Sequence, residues 1–459
     1  MSLPNTQTQT TTAISEHSAA MVLGLGVTGY SVVRYLLARG LSVSVMDSRA
    51  EPALAKRLAE EFPKVKCYYG GFDGVLLSAQ SLIVLSPGIA LNEPAVRQAK
   101  QAGAEIVGDI ELFLQENQQP VIAITGSNGK STVTSLVGAM CAESGMNPLI
   151  AGNIGLPVLD ALTEGTQYNV AVLELSSFQL ETTARVPAVA AGFLNISADH
   201  MDRYDSMGDY ILAKARIFRG AELAIIPRHD LDIKQVAQTP SVLNFDLDEP
   251  SNDNEFGVMK GGWLSKGRQR LMRREDVPLI GQHNIKNVLA AFALVDRLSL
   301  SLDSLVSAVK EFSGLAHRMQ TVANANGVVW VNDSKATNIG ATATALNSVD
   351  NDVIWIAGGQ AKGADFSDLR DAINKNIKLL ILFGEDAKKI ESALAGVLEI
   401  KNVSDMRAAI NVAGEVAEEN NIVLFSPACA SFDMYQNFEH RGDDFVKHTT
   451  AWLAERGAA

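Results

Sequence analysis

Short apolar runs alternate along most of the chain with stretches whose apolar residues recur at helical spacing. This alternation predicts parallel α/β sheets. The pattern begins afresh three times. A first unit opens with a strand at 20–23 and continues with strands at 41–46, 66–69 and 82–85. A second opens at 121–124. A helix over 130–141 follows, with Val133, Leu136, Val137 and Met140 on one face, then a long apolar strand at 170–175. Residues 207–219 read as a helix whose stripe is Tyr210, Ile211, Ile217 and Phe218. The polar stretch 246–275 reads as a surface hairpin region. A third unit opens at 328–331, with further strands at 353–356, 379–383 and 422–425. No short-period repeat interrupts this order. Domain boundaries are expected near 110 and 318, dividing the chain into 20–110, 111–318 and 319–459 behind a tail over 1–19.

Composition narrows the class. Of the 459 residues, 47% are hydrophobic and 20% charged, an ordinary globular balance with ample apolar surface for large cores. The formal net charge of -13 makes the chain a poor candidate for nucleic acid or an anionic membrane, though a local basic pocket for phosphates stays open. Cys67, Cys141 and Cys429 are widely spaced and form no Cys-x-x-Cys pair, which argues against a disulfide framework or a zinc site. A reducing cytoplasm is the expected location. No apolar run approaches the roughly 18 residues that span a bilayer. The first residues are rich in Thr, Gln and Ser and lack the basic and apolar regions of a signal peptide, so the tail is expected to be disordered.

Two loops have the look of phosphate sites. Gly24-Leu25-Gly26-Val27-Thr28-Gly29 follows a predicted strand and opens a predicted helix, and Asp47 ends the next strand. This is the dinucleotide fingerprint, in which glycines let the backbone approach a diphosphate and a helix N-terminus supplies N–H donors. It does not choose the nucleotide, and a plain tight turn is the alternative. The second loop, Thr125-Gly126-Ser127-Asn128-Gly129-Lys130-Ser131-Thr132, is shorter than the standard P-loop. Lys130 would reach the β- and γ-phosphates and the Ser131 hydroxyl would ligate Mg²⁺; the bland reading is a glycine turn with a surface lysine. Glu174 ends an apolar strand, where a carboxylate could hold Mg²⁺. Lys214 interrupts the apolar stripe of its helix and must snorkel, pair with an acid, or change its chemistry, for example by carbamylation. His200, in the polar cluster Asp199 to Arg203, is a candidate metal ligand.

These motifs, with Leu173-Glu174-Leu175-Ser176-Ser177-Phe178-Gln179-Leu180, Gly281-Gln282-His283-Asn284, Asn332-Asp333-Ser334-Lys335-Ala336-Thr337-Asn338 and Ser426-Pro427-Ala428-Cys429-Ala430-Ser431, together resemble the Mur ligases, which add amino acids to the peptidoglycan precursor. The resemblance runs from about residue 20 to the C-terminus and is nearest the branch that adds D-glutamate to UDP-N-acetylmuramoyl-L-alanine. It implies three domains: a Rossmann-like UDP-binding domain, a P-loop-type central ATP-binding domain, and a Rossmann-like C-terminal domain that closes over the site. It implies UDP, not NAD, against Gly24, Leu25, Gly26, Val27, Thr28, Asp47, Ser48, Arg49, Ser86, Pro87 and Gly88, with Asn153 near the sugar-peptide. ATP would meet Gly126 to Thr132, Asn284, Asn287, Arg318 and Asp333. Lys130, Glu174, His200 and a carbamylated Lys214 become the catalytic group. Two Mg²⁺ ions would be held by Ser131, Glu174, His200 and Lys214. Lys335, Lys362, Ser431 and Phe438 would contact D-glutamate.

The expected protein is therefore a cytoplasmic, monomeric ATP-dependent ligase of peptidoglycan synthesis, working on small molecules and needing neither nucleic acid nor membrane. A nicotinamide oxidoreductase would leave Lys130, Glu174 and the third unit unexplained. A non-catalytic nucleotide sensor would bind ATP without turnover. A folyl-polyglutamate-type ligase would not need the N-terminal UDP domain.

Overall fold

A computed structural model describes residues 17–199, 201, 203–349, 351–361, 365–373 and 376–457. The chain divides into two compact units. The second is Ser197–Asp199, Glu275–Lys286 and Lys310 onward, and the first is the remainder.

The first unit carries two sheets. One comprises β1 (Ala19–Leu23), β2 (Ser42–Asp47), β3 (Lys66–Tyr69), β4 (Leu82–Leu85) and β5 (Glu105–Val107). All are parallel, in the order β3-β2-β1-β4-β5. The other comprises β6 (Val121–Thr125), β7 (Pro148–Gly152), β8 (Val170–Glu174), β9 (Ala190–Phe193), β10 (Leu223–Pro227), β11 (Ser241–Phe245), β12 (Glu255–Met259), β13 (Trp263–Lys266) and β14 (Gln269–Arg273). Its order is β14-β13-β12-β11-β10-β9-β6-β8-β7. Strands β6, β8, β9 and β10 are buried at every position, which is why they read as unbroken apolar runs and not as alternation. The second unit holds β15 (Gln320–Ala325), β16 (Val328–Asn332), β17 (Val353–Ala357), β18 (Ile377–Leu382), β19 (Ile400–Asn402) and β20 (Ile422–Phe425), in the order β15-β16-β20-β17-β18-β19. The α/β class and three-sheet plan are those expected from the sequence.

Several local expectations need correction. The helix expected at 207–219 is α-helical over Met207–Ala215 and tightens to a 3-10 turn at Arg216–Phe218. The 246–275 region does form antiparallel hairpins, but they extend the central sheet. Phe256, Leu264 and Met272 are buried there, so the region is not surface throughout. The third sheet starts at β15, before the expected strand. Its polar sequence Gln-Thr-Val-Ala-Asn-Ala forms an antiparallel edge on β16. The fold also claims the end of the expected tail: β1 begins at Ala19, and Ser42 N–H bonds Ser18 O at 2.9 Å. Residues 1–16 lie outside the described residues.

In the first sheet the helix Val27–Ala38 packs directly on the glycine loop. A Cβ on Gly29 would stand 1.8 Å from Gly24 O and 3.2 Å from Ser86 Oγ, so close approach requires glycine there. Gly29→Ala is expected to cost about 1–3 kcal/mol of overpacking. The reading is a lower thermal unfolding midpoint with the central sheet's ligand binding intact; an unchanged midpoint would show that the helix shifts without cost.

Candidate active site

Strand order assembles the central site. β6 lies between β8 and β9, with Ile124 opposite Glu174 and Thr125 opposite Phe193. The loop leaving β6 therefore emerges beside the C-terminal ends of both neighbours, where ligands of open α/β sheets bind. Gly126 has φ +154 and Gly129 φ +79. A Cβ on Gly129 would also stand 2.6 Å from Asn287 Oδ1, so Asn287 presses against the loop. The helix Lys130–Glu143 starts there and points its free N–H groups and positive dipole end at the loop.

The side chains expected at this site meet. Ser131 Oγ donates to Glu174 Oε2 at 2.6 Å, and Asn153 Nδ2 donates to Glu174 Oε1 at 2.8 Å. Glu174 is 1% exposed, and each of its carboxyl oxygens has one of these donors as a partner. Asn153, grouped by the sequence with the sugar-peptide, sits on this carboxylate. Lys130 Nζ donates to Gly126 O and Ser127 O, both at 2.9 Å. Lys214 is 2% exposed; it does not snorkel. Its Nζ donates to Gly126 O at 2.9 Å and lies 4.7 Å from the centre of the Tyr210 ring. Ser127 Oγ is 3.4 Å from Tyr210 Oη, and Thr132 is buried. His200 lies outside the described residues. Among the described residues no group of three or more His, Cys, Asp and Glu is placed to hold a metal.

One residue here was not singled out from the sequence. Asn195 grips the loop from the end of β9. Its Oδ1 accepts from Asn128 N–H at 2.8 Å, its Nδ2 donates to Asn128 O at 2.9 Å, and its main-chain O accepts from Ser127 N–H at 3.0 Å. The available signal was a polar residue directly after a buried apolar run.

The first sheet gathers Gly24 to Thr28, Asp47 to Arg49 and Ser86 to Gly88 at the C-terminal ends of β1, β2 and β4. Gly24 has φ +88, and Ser86 Oγ donates to its carbonyl at 3.0 Å. Asp47 accepts from Leu25 N–H at 2.7 Å and from Arg49 Nε and Nη2 at 2.9 and 2.6 Å. The Arg49 guanidinium holds its carboxyl down to about 2, so it is ionised throughout the physiological range. Arg203 Nη2 donates to Ile89 O at 2.9 Å, and its guanidinium stacks 4.3 Å from the Phe178 ring centre. That ties the segment after Gly88 to the central sheet.

The remaining expected residues belong to the second unit. Asn284 is buried, with Nδ2 on Ile280 O at 2.7 Å. Asp333 follows β16. Burial pushes its carboxyl up to about 7, while Ser426 Oγ at 2.9 Å and Met319 N–H at 3.1 Å donate to it. Arg318 acts on Asp333 through space. Lys335 Nζ lies 3.9 Å from the centre of the Phe438 ring, and Ser431 is buried after β20. Lys362 lies outside the described residues.

Comparison with known proteins bears on all three sheets. Residues 18–108 match the Mur ligase MurD-like N-terminal domain, 124–295 the Mur ligase middle domain, and 317–429 the Mur ligase glutamate ligase domain. The UDP-N-acetylmuramoylalanine–D-glutamate ligase of Nitrosococcus oceani is 45% identical over 434 residues, covering 93% of this chain and 95% of that one. The enzyme of the same name from Shewanella oneidensis is 46% identical over 431 residues, covering 93% and 96%. Among solved structures, MurF ligase from Thermotoga maritima in complex with ADP aligns with a TM-score of 0.60 at 13% identity, covering 96% of this chain and 97% of that one. A pseudomurein peptide ligase type C from Methanothermus fervidus aligns with 0.59 at 18%, covering 94% and 99%.

Asn195→Ala removes two of the loop's ties and leaves the main-chain one. At about 1.4 kcal/mol per tie lost, the Asn128 amide is expected to exchange hydrogen at least about tenfold faster than in the parent. The Ser127 amide should change less. Equal protection of Asn128 in both proteins would remove Asn195 from the site.

Proposed function

The chain belongs to the Mur ligase family, and on that premise we propose that it joins D-glutamate to UDP-N-acetylmuramoyl-L-alanine at the expense of ATP, in peptidoglycan precursor synthesis. The observation that carries this reading is the convergence of Lys130, Ser131, Glu174 and Lys214 on one glycine loop at a helix N-terminus. The name shared by relatives at 45% and 46% identity supplies the substrate. The first sheet takes the UDP moiety at Gly24 to Thr28, Asp47 to Arg49 and Ser86 to Gly88. The central sheet takes the ATP phosphates, with Asn284, Asn287, Arg318 and Asp333 serving the nucleotide. The third sheet takes D-glutamate at Lys335, Lys362, Ser431 and Phe438. No helix among the described residues is long and apolar enough to cross a membrane, and the reading is of a cytoplasmic monomer acting on soluble substrates.

The chemistry follows from the charges. A carboxylate is a poor electrophile, so the alanyl carboxylate oxygen attacks the γ-phosphorus of ATP and releases ADP. The amine of D-glutamate adds to the resulting acyl phosphate, giving a tetrahedral intermediate. That intermediate expels phosphate, and loss of a proton from nitrogen leaves the amide. Lys130 and the helix N-terminus stabilise the negative charge gathered around the transferred phosphoryl group.

Mg²⁺ fits the donor set. Ser131 Oγ and Glu174 Oε2 are hard oxygen donors 2.6 Å apart, and Mg²⁺ takes few protein ligands, completing its shell with phosphate oxygens and water. When bound, the metal neutralises phosphate charge. His200 and Lys214 would serve a second ion. Lys130 and Lys214 both donate to one carbonyl oxygen; carbamylation of Lys214 would place anionic oxygens beside Lys130.

The deciding experiment is phosphate release from ATP with UDP-N-acetylmuramoyl-L-alanine and Mg²⁺, adding D-glutamate, L-glutamate, a diamino acid or nothing. Release that depends on D-glutamate alone is expected. Release with another amino acid would move the chain to a sister branch, and none with any would sink the reading. Lys130→Ala is expected to cut turnover by about 10²–10³ with the fold intact. Lys214→Ala should be inactive and partly restored by acetate, whose carboxylate stands in for the carbamate; full activity without acetate would exclude the modification.

A further inference from the structure

The third sheet is organised around a side chain that the proposed reaction does not use. Arg441, on the helix Phe438–Glu455, is 1% exposed. Its guanidinium reaches three loops at the C-terminal ends of the strands. Nε donates to Ser334 Oγ at 3.1 Å and Nη2 to Ser334 O at 2.8 Å, in the loop after β16. Nη1 donates to Cys429 O at 3.0 Å after β20, and to Gly358 O at 3.5 Å after β17. The group lies 5.7 Å from the centre of the Phe425 ring. Each of these acceptors is neutral. Asp433 acts on it through space, and burial pushes its pKa down to about 10, so it stays charged at neutral pH.

This is a costly way to fasten loops. A buried charge without a bonded counter-ion loses hydration that neutral acceptors only partly return. The neighbourhood is shaped to admit it. A Cβ on Gly359 would stand 3.1 Å from Arg441 Nη1 and 2.3 Å from Ala430 O. The next residue, Gly442, is held as closely: a Cβ there would meet His317 Nδ1 at 2.2 Å, and Asn332 Nδ2 donates to Gly442 O at 3.0 Å.

The loops so joined carry Lys335 and Ser431, and Arg441 shares its helix with Phe438. Ser334 completes the link, accepting from Arg441 and donating to Phe438 O at 2.8 Å. We propose that Arg441 is the positioning residue of the amino-acid site: its fork sets Lys335, Ser431 and Phe438 in mutual register, and its charge beneath them favours a dicarboxylate substrate. This rests on the assignment of those three residues to D-glutamate. A planar fork with five donors serves all four acceptors in a fixed geometry; an ammonium has only three donors and no fork.

The test is a steady-state comparison of the full-length protein with Arg441→Lys, Arg441→Gln and Ser334→Ala. Arg441→Lys keeps the charge and loses the fork, and should raise the KM for D-glutamate about tenfold. Arg441→Gln loses both and should raise it about a hundredfold. Ser334→Ala removes one acceptor and the tie to Phe438, and should raise it about three- to tenfold. The KM values for ATP and for UDP-N-acetylmuramoyl-L-alanine should stay within about twofold, since those substrates are assigned elsewhere. If the arginine variants fail to fold, Ser334→Ala decides. A folded variant with the parent's KM for D-glutamate would overturn the inference, as would an equal rise in all three constants. If the parent itself releases phosphate without needing D-glutamate, it is the underlying assignment that fails.

Discussion

One carbonyl oxygen, that of Gly126, receives hydrogen bonds from two ammonium groups, Lys130 and Lys214. Like charges directed at one point in a buried site repel, and the nearby helix N-terminus adds further positive potential. On the proposed reading, bound phosphate would bring negative charge to this point. Much of the first unit keeps this geometry in place. β6 must run between β8 and β9 for Glu174 and Asn195 to flank the loop. Gly126 sits at φ +154, where a Cβ would stand 3.2 Å from Leu194 Cβ. The helix carrying Lys214 must pack Tyr210 inward for the lysine to follow it.

A second regularity links the two units. Glu174 is held by a hydroxyl and an amide, Asp333 by a hydroxyl and a main-chain N–H, and Arg441 by carbonyls and a hydroxyl. Charges tied to neutral partners are oriented but not cancelled. They remain available to a ligand of opposite sign, whereas a buried ion pair would have spent its field on itself. Asp333 shows the cost, since burial raises its carboxyl to about 7. In contrast, Asp47 in the first sheet is paired with Arg49 and lies near 2. Its carboxylate is committed to holding the glycine loop through Leu25 N–H.

Local pattern determined much of this protein. Strands at 82–85 and 422–425 were legible to the residue, because a strand buried at every position must be apolar throughout. The loop Gly126 to Lys130 was legible because its chemistry lies within a few adjacent residues. The family resemblance was carried by motifs of the same kind, short and contiguous. Lys214 could be recognised as misplaced, since it interrupts the stripe of Tyr210, Ile217 and Phe218, but its destination could not. Gly126 is 88 residues away in sequence. The same limit hid Asn195, 67 residues from the loop it grips, and Arg441, 107 residues from Ser334. β15 was missed because an edge strand need not be apolar. Strand order alone decided which distant side chains meet. Hydrophobic periodicity specifies which face of an element is buried, but not which other element will cover it.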